Sequence, residues 1–293
     1  MTSQITPQPA NRGDVNTRTE LIAGQPAEAL AGLLDIDAPP LGDGDPLPPL
    51  WHWIYLLERR RQSELGHDGH PTRGIPAPPG PGQLRMFAGG RTTTFAPLRF
   101  GREATRTTRV THTLEKEGRS GALTFVTTRS TYTQDEKVAF VDEQDIVYRR
   151  AGSRTLTQTP EAADPQQPQP EGQGLLELAV DPTVLFRFSA LTYNAHRIHY
   201  DLAYASQEGY PGLVVHGPLQ ALLMGECFRR AGASLLEKQF AYRLVAPTYG
   251  EQQLIVTSTP DGDGLAARVQ DGRGVITATA SLRPLTKIRP TPN

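Results

Sequence analysis

The segment that most constrains the fold lies in the last third of the chain, where GPLQALLMGECFRRA at Gly217–Ala231 is followed by four short apolar runs. Leu219, Leu222, Leu223, Cys227 and Phe228 recur at helical spacing, Pro218 takes a first-turn position and Gly232 follows the end, so the run reads as a helix. Phe240–Val245, Gln253–Ser258, Leu265–Val269 and Val275–Leu282 read as strands, with PTYGE, PDGDG and DGRG as the turns between them. This order suggests an α+β unit, a central helix wrapped by an antiparallel sheet.

The first half repeats the theme. Arg18–Ile36 has apolar spacing compatible with a helix broken around Pro26, and Pro49 precedes a second helical run, LWHWIYLLERRRQ. Strand-like segments follow at Arg91–Phe95, Glu103–Leu114, Ala122–Gln134 and Lys137–Val141. FAPLRFG at Phe95–Gly101 echoes VAPTYG at Val245–Gly250, which points to duplication. Between the halves, Thr159–Gly174 reads TPEAADPQQPQPEGQG, almost without apolar residues, as an exposed linker. Gly66–Gly82, with its PTRGIPAPPGPG, reads as an irregular loop. The expected organisation is a tail over 1–17, a first domain over 18–158, a linker over 159–174 and a second domain over 175–293.

Composition sets limits on partners. A formal charge of −1 gives no electrostatic footprint for nucleic acid or an anionic membrane. The single cysteine, Cys227, leaves no intramolecular disulfide and no multi-cysteine metal site. The first seventeen residues resemble neither a secretory signal nor a transit peptide, and no run approaches the ~18–20 apolar residues of a membrane span. A soluble, cytoplasmic protein is expected.

The chemistry is concentrated in Leu185–Leu223, which holds His196, His199 and His216 directly ahead of the Gly217-Pro218 helix start. Here the chain resembles the MaoC-like hydratases, whose signature is Ser/Thr, then Gly-Asp-x-Asn-Pro-(Ile/Leu)-His, with a later His-Gly pair opening the central helix. Thr192–His199 occupies the signature and His216-Gly217 the second element. Asn194 stands where the family has its aspartate, His196 where it has asparagine and Arg197 where it has proline. FSALTYNAHRIHYD, GDPLPPLWHWIYLLE and RMFAGGRTTTFAPLRFGREATR are similar to one branch, the type 2 hydroxyacyl-thioester dehydratases and mesaconyl-C4-CoA (3-methylfumaryl-CoA) hydratases.

The resemblance implies a double hot dog, two tandem repeats of which the second is catalytic. It also implies an acyl thioester of coenzyme A or acyl carrier protein as substrate, with no cofactor and no metal. Within that frame His199 is the base, since an imidazole takes up and returns a proton near neutral pH. Gly217 offers a helix-terminal N–H to the thioester oxygen. Asn194, a carboxamide, can only orient water by hydrogen bonds. Arg197, and Arg187 on a preceding strand, are candidate anchors for a substrate carboxylate or for coenzyme A phosphate. His216 is a candidate substrate-binding residue that supports the loop ahead of the helix, with a direct catalytic role as the alternative; His196 is a hydrogen-bonding support, and Asp201 is either a substitute carboxylate or the cap of a short helix. His52 and Arg91 have no evident chemical partners, so packing or a solvated face is their reading.

The leading expectation is reversible hydration of mesaconyl-C4-CoA to citramalyl-CoA. The alternatives are a 3-hydroxyacyl-thioester dehydratase of fatty acid synthesis and an inactive acyl-thioester-binding protein. A thioesterase is disfavoured, because no carboxylate stands at position 194 to activate water. Self-association to a homodimer is expected.

Overall fold

The computed structural model describes residues 14–80, 82–118, 121–150 and 174–285; most of the expected linker and most of the tail lie outside these residues. Ten strands form a single antiparallel sheet: β1 Val15–Leu21, β2 Gln83–Thr94, β3 Glu103–Gly118, β4 Gly121–Gln134, β5 Lys137–Arg150, β6 Gly174–Val180, β7 Lys238–Leu244, β8 Gln252–Asp261, β9 Gly264–Gln270 and β10 Ile276–Pro284. The helices are α1 Gly24–Leu34, α2 Pro182–Thr192, α3 Leu202–Gln207 and α4 Gly217–Arg230.

The spatial order is β1-β3-β4-β5-β2-β7-β10-β9-β8-β6. Read from each outer edge, both halves have the same topology, first-third-fourth-fifth-second, and they meet where β2 pairs antiparallel with β7, Gly89 opposite Arg243 through Thr94 opposite Lys238. The duplication extends to backbone detail. Past β2, the N–H groups of Phe95 and Ala96 both donate to the Ala139 carbonyl; past β7, those of Val245 and Ala246 both donate to the Thr277 carbonyl. The two FAP/VAP segments then end at Gly101 and Gly250, with φ of +75° and +76°, a left-handed conformation that favours glycine. The chain is a double hot dog.

In the second repeat α4 is the central helix, and it packs on β6, β7, β8, β9 and β10. Ten of its consecutive residues, Leu219–Phe228, are buried. The first repeat differs from expectation. Arg18–Leu21, read as helix, belongs to β1, an edge strand of alternating exposure paired to β3. Because β1 starts at Val15, three residues placed in the tail lie on this strand. LWHWIYLLERRRQ yields only a short 3-10 turn, Trp51–Ile54. Three nearby prolines and the left-handed backbone at Leu50 and Leu56, φ +73° and +53°, interrupt any longer helix. Its residues pack all round: Trp51, His52, Trp53, Ile54, Tyr55 and Leu56 are buried. His52 sits among the rings of Trp53, Tyr132 and Phe140 with its Nε2 3.8 Å from the buried Asp142 carboxylate, and Arg91 pairs with Glu143 at 2.6 Å, so both have partners that the sequence did not reveal.

This turn locks the repeats together from the inside. Trp51 Nε1 donates to Glu226 Oε1 of α4 at 2.6 Å, and Glu226, 3 % exposed, also accepts from Arg229. Among the described residues no helix is long and apolar enough to cross a membrane. Replacing Trp51 with Phe keeps the apolar bulk but leaves a buried carboxylate short of a donor, so Trp51→Phe should lower unfolding free energy by about 1–3 kcal/mol. Urea titration measures this; an unchanged midpoint contradicts the lock.

Candidate active site

The histidine segment is shaped by local hydrogen bonds. Asp181 caps α2 by accepting from the Val184 N–H, with Pro182 at the first helical position, so Arg187 lies on a helix, correcting its placement on a strand. α2 stops at Tyr193, which is left-handed, and the Asn194 N–H returns to the Ser189 carbonyl. Asn194 Oδ1 accepts the His196 N–H at 3.0 Å, closing a side-chain turn that leads into the 3-10 turn Arg197–His199. Asp201 then caps α3, accepting the Tyr204 N–H at 3.0 Å.

His199 is 7 % exposed, and its Nδ1 lies 2.7 Å from the Val214 carbonyl. A carbonyl only accepts, so Nδ1 carries the proton and Nε2 keeps its lone pair. Burial pushes its pKa down to about 4; the bond to Val214 works the other way, and the charge of His70 adds to the depression. Its ring stacks on His216 at 3.6 Å and meets His196 edge-on at 5.6 Å. His216 is fully buried, with Nε2 2.9 Å from Ser189 Oγ, and burial followed by the charges of His199 and His196 depresses its pKa. His196 is depressed by burial first and then by the charges of His70 and His199, with Asp68 working the other way.

Gly217 follows His216 as the first residue of α4. A Cβ there would lie 2.1 Å from Leu244 Cδ1 and 3.1 Å from Phe87 Cδ1, so only glycine lets the helix start pack beneath the β2–β7 junction. Among the described residues its N–H donates to no acceptor, and the next residue, Pro218, has none to offer. The positive end of a fourteen-residue helix therefore presents the Gly217 N–H beside the stacked histidines.

The expected anchors are engaged elsewhere. Arg197 is neutralised by Asp201 through bonds of 2.7 and 3.0 Å and lies over the Tyr204 ring. Arg187 is exposed on α2, facing Gly32 of α1 rather than the histidines.

Sequence reasoning missed the contribution of the first repeat. The loop Gly66-His67-Asp68-Gly69-His70 docks on the motif: the Arg197 N–H donates to the Asp68 carbonyl at 2.9 Å, and Arg197 also reaches His67. Gly69 has φ +88°, and a Cβ there would fall 1.8 Å from the Ala195 carbonyl oxygen. The Asp68 carboxylate accepts from the His70 backbone N–H at 2.9 Å and lies 3.0 Å from His70 Nδ1. Burial pushes that carboxyl up, but the bonds and charge of His70 outweigh it and hold it below the usual range. The His70 ring packs on His196 at 4.1 Å. Ligand atoms of Asp68, His70 and His196 all lie within 4.8 Å of one another, so these three could hold a divalent cation. Two histidines and an aspartate within one Gly-rich pentapeptide were the available signal, but only the fold joins positions 130 residues apart.

A cleft of about 360 Å³ opens over this junction, lined by Asp68, His70, Arg85, His196, Ile198 and Tyr210 among others. His199 lies one ring behind its wall, in contact with His196.

Unfolding returns buried neutral histidines to an ordinary pKa near 6.5. Below that value the unfolded chain binds protons that the folded chain refuses. Stability is thus complete above about pH 6.5 and declines as pH falls toward the depressed folded values, by up to ~1.4 kcal/mol per pH unit for each of His196, His199 and His216. Denaturant midpoints at about pH 7.5 and about pH 5.5 test this; equal midpoints contradict it.

Comparison with known proteins agrees with this architecture. Residues 50–250 match the family model described as hydroxyacyl-thioester dehydratase type 2. A relative named mesaconyl-C(4)-CoA hydratase, from Chloroflexus aurantiacus, is 43% identical over 263 residues, 87% of this chain and 91% of that protein. A mitochondrial hydroxyacyl-thioester dehydratase type 2 from Schizosaccharomyces pombe is 39% identical over 85 residues, 28% of each chain. Among solved structures, a MaoC-like dehydratase from Phytophthora capsici superposes with a TM-score of 0.67 at 13% identity, covering 97% of both chains. HtdX of Mycobacterium tuberculosis gives 0.64 at 17% identity, covering 93% of this chain and all of that one.

Proposed function

Because the chain belongs to the hydroxyacyl-thioester dehydratase type 2 family, and is an enzyme of the hydratase–dehydratase class, we propose that it hydrates mesaconyl-C4-CoA reversibly to citramalyl-CoA. The observation that carries the chemistry is the His199–Val214 hydrogen bond, which leaves Nε2 as an unprotonated base. The substrate assignment is supported by the Chloroflexus relative, similar over nearly its whole length. The cleft of about 360 Å³ mixes apolar walls with Asp68, His70, Arg85 and His196, so a short acyl group entering it meets charged and imidazole side chains.

In this reading His199 Nε2 takes a proton from water as the water oxygen bonds to the β-carbon. The electron pair of the double bond moves toward the thioester oxygen, where the Gly217 N–H and the α4 dipole stabilise the developing charge. The His199 imidazolium then returns its proton to the α-carbon and the neutral ring is restored. Asn194 holds the turn that presents His199 through Oδ1 and uses its amide N–H to orient the water. His216 keeps the base in place by stacking. Burial makes the transient imidazolium unstable, which favours prompt return of the proton.

His199→Ala should lower kcat by ~1,000-fold or more, in line with loss of a general base. Asn194→Ala should slow turnover by about 10- to 100-fold through misplacement of base and water, with little change in thioester binding. Loss of the conjugated thioester's ultraviolet absorbance reads both; an Asn194→Ala enzyme at full rate removes the water-orienting role. Since the base acts unprotonated, kcat/KM should stay level from neutrality to about pH 5 and fall only as His199 protonates, near 4. A fall centred near the ordinary imidazole value of about 6.5 would contradict the buried base.

A further inference from the structure

The carboxylate of a dicarboxylic acyl group needs a cation, and both arginines that the motif region offers are engaged or remote. A third stands in the cleft. Arg85 lies on β2, half-buried, in the wall that also holds His70 and His196. Among the described residues it forms no ion pair, unlike Arg91 on the same strand, held by Glu143, and Arg197, held by Asp201. The two carboxylates in the same wall do not serve it: Asp68 accepts from His70, and Glu208 accepts from the Tyr204 hydroxyl at 3.1 Å. Its guanidinium is therefore left to an anion that enters the cleft.

Its position matches the chemistry. Arg85 and Phe87 are two residues apart on one strand, so their side chains leave the same face about 7 Å apart. Phe87 is the residue that packs over Gly217, the oxyanion donor of the proposed reaction. Arg85 therefore leaves the strand about 7 Å from the residue that covers the oxyanion donor, a separation that a short acyl group can bridge. A coenzyme A phosphate, by contrast, is separated from that carbonyl by the whole pantetheine arm. Arg85, His70 and His196 line the same cleft, and the Arg85 charge adds to the burial that depresses both imidazoles.

We propose that Arg85, contributed by the first repeat, is the specificity-determining anchor for the free carboxylate of the acyl group. A guanidinium can meet that carboxylate with two parallel hydrogen bonds. The proposal rests on the dicarboxylic reading of the function above, and it gives the first repeat a direct part in choosing substrate.

The test compares mesaconyl-C4-CoA with 3-methylcrotonyl-CoA, in which a methyl group replaces the carboxylate and the coenzyme A handle is unchanged. For the full-length protein and for Arg85→Met and Arg85→Lys, kcat/KM is measured on both. Arg85→Met should shrink the preference for the dicarboxylic substrate by ~100-fold or more, and Arg85→Lys should retain part of it, as expected when a charged hydrogen-bonding contact is lost or weakened. Equal losses on both substrates would mean that Arg85 holds the coenzyme A handle or the fold, and would overturn the proposal. So would an undiminished preference in Arg85→Met. If Arg85→Met does not fold, an undiminished preference in Arg85→Lys still overturns it. Should the unaltered protein itself show no preference for mesaconyl-C4-CoA, the functional reading fails; should it show one that ignores Arg85, only the anchor fails.

Discussion

Everything at the site depends on the pairing of β2 with β7. Six residue pairs, Gly89–Arg243 to Thr94–Lys238, turn two five-stranded repeats into one ten-stranded sheet. That junction places Phe87 of the first repeat and Leu244 of the second over Gly217, where there is room for a hydrogen atom and not for a methyl group. It also aligns the loop around Asp68 and His70 with the turn that carries His196 and His199. The pairing joins β2 and β7, the second strand of each repeat, as duplicated folds do when the copies associate through equivalent edges.

Around this frame the polar groups are arranged so that few compete for one proton. Burial keeps the imidazoles neutral, and the Val214 carbonyl decides which nitrogen of His199 is free. The absence of a carboxylate at position 194 is matched by a carboxylate nearby in space, Asp68, already bonded to His70. The side chain that stands in the signature aspartate's place works on the backbone, binding the His196 N–H. The first repeat, expected to be a non-catalytic companion, thus supplies a large part of the cleft wall: Asp68, His70 and Arg85 all precede β3.

How much of this was legible in the sequence follows from how local each cause is. α4 and β7–β10 were readable because their signals are local: Pro218 at the start, Gly232 at the end and glycine-rich turns between strands. The helix α2 had a local signal too, Asp181 followed by Pro182, obscured by the aromatic run LFRF. β1 was misread because Leu21 and Ile22 precede a true helix closely enough to join its periodicity, whereas Thr-rich Val15–Leu21 is an exposed edge held by β3. The Trp51–Ile54 turn is buried on every side, so no periodicity marks it. His199 and Asn194 were named from one contiguous signature, and Gly217 from the His-Gly pair at the start of α4. Asp68, His70 and Arg85 were not, because only the sheet junction brings them to that motif.

The central claim is that the acyl site is assembled across the two repeats. The most direct measurement is a crystal structure of the His199→Ala protein with mesaconyl-C4-CoA bound. The account predicts the thioester oxygen about 3 Å from the Gly217 nitrogen, with the acyl group between the His196 turn and the first-repeat wall. A thioester bound wholly within the second repeat, away from Gly217 and touching no residue before the linker, would contradict it.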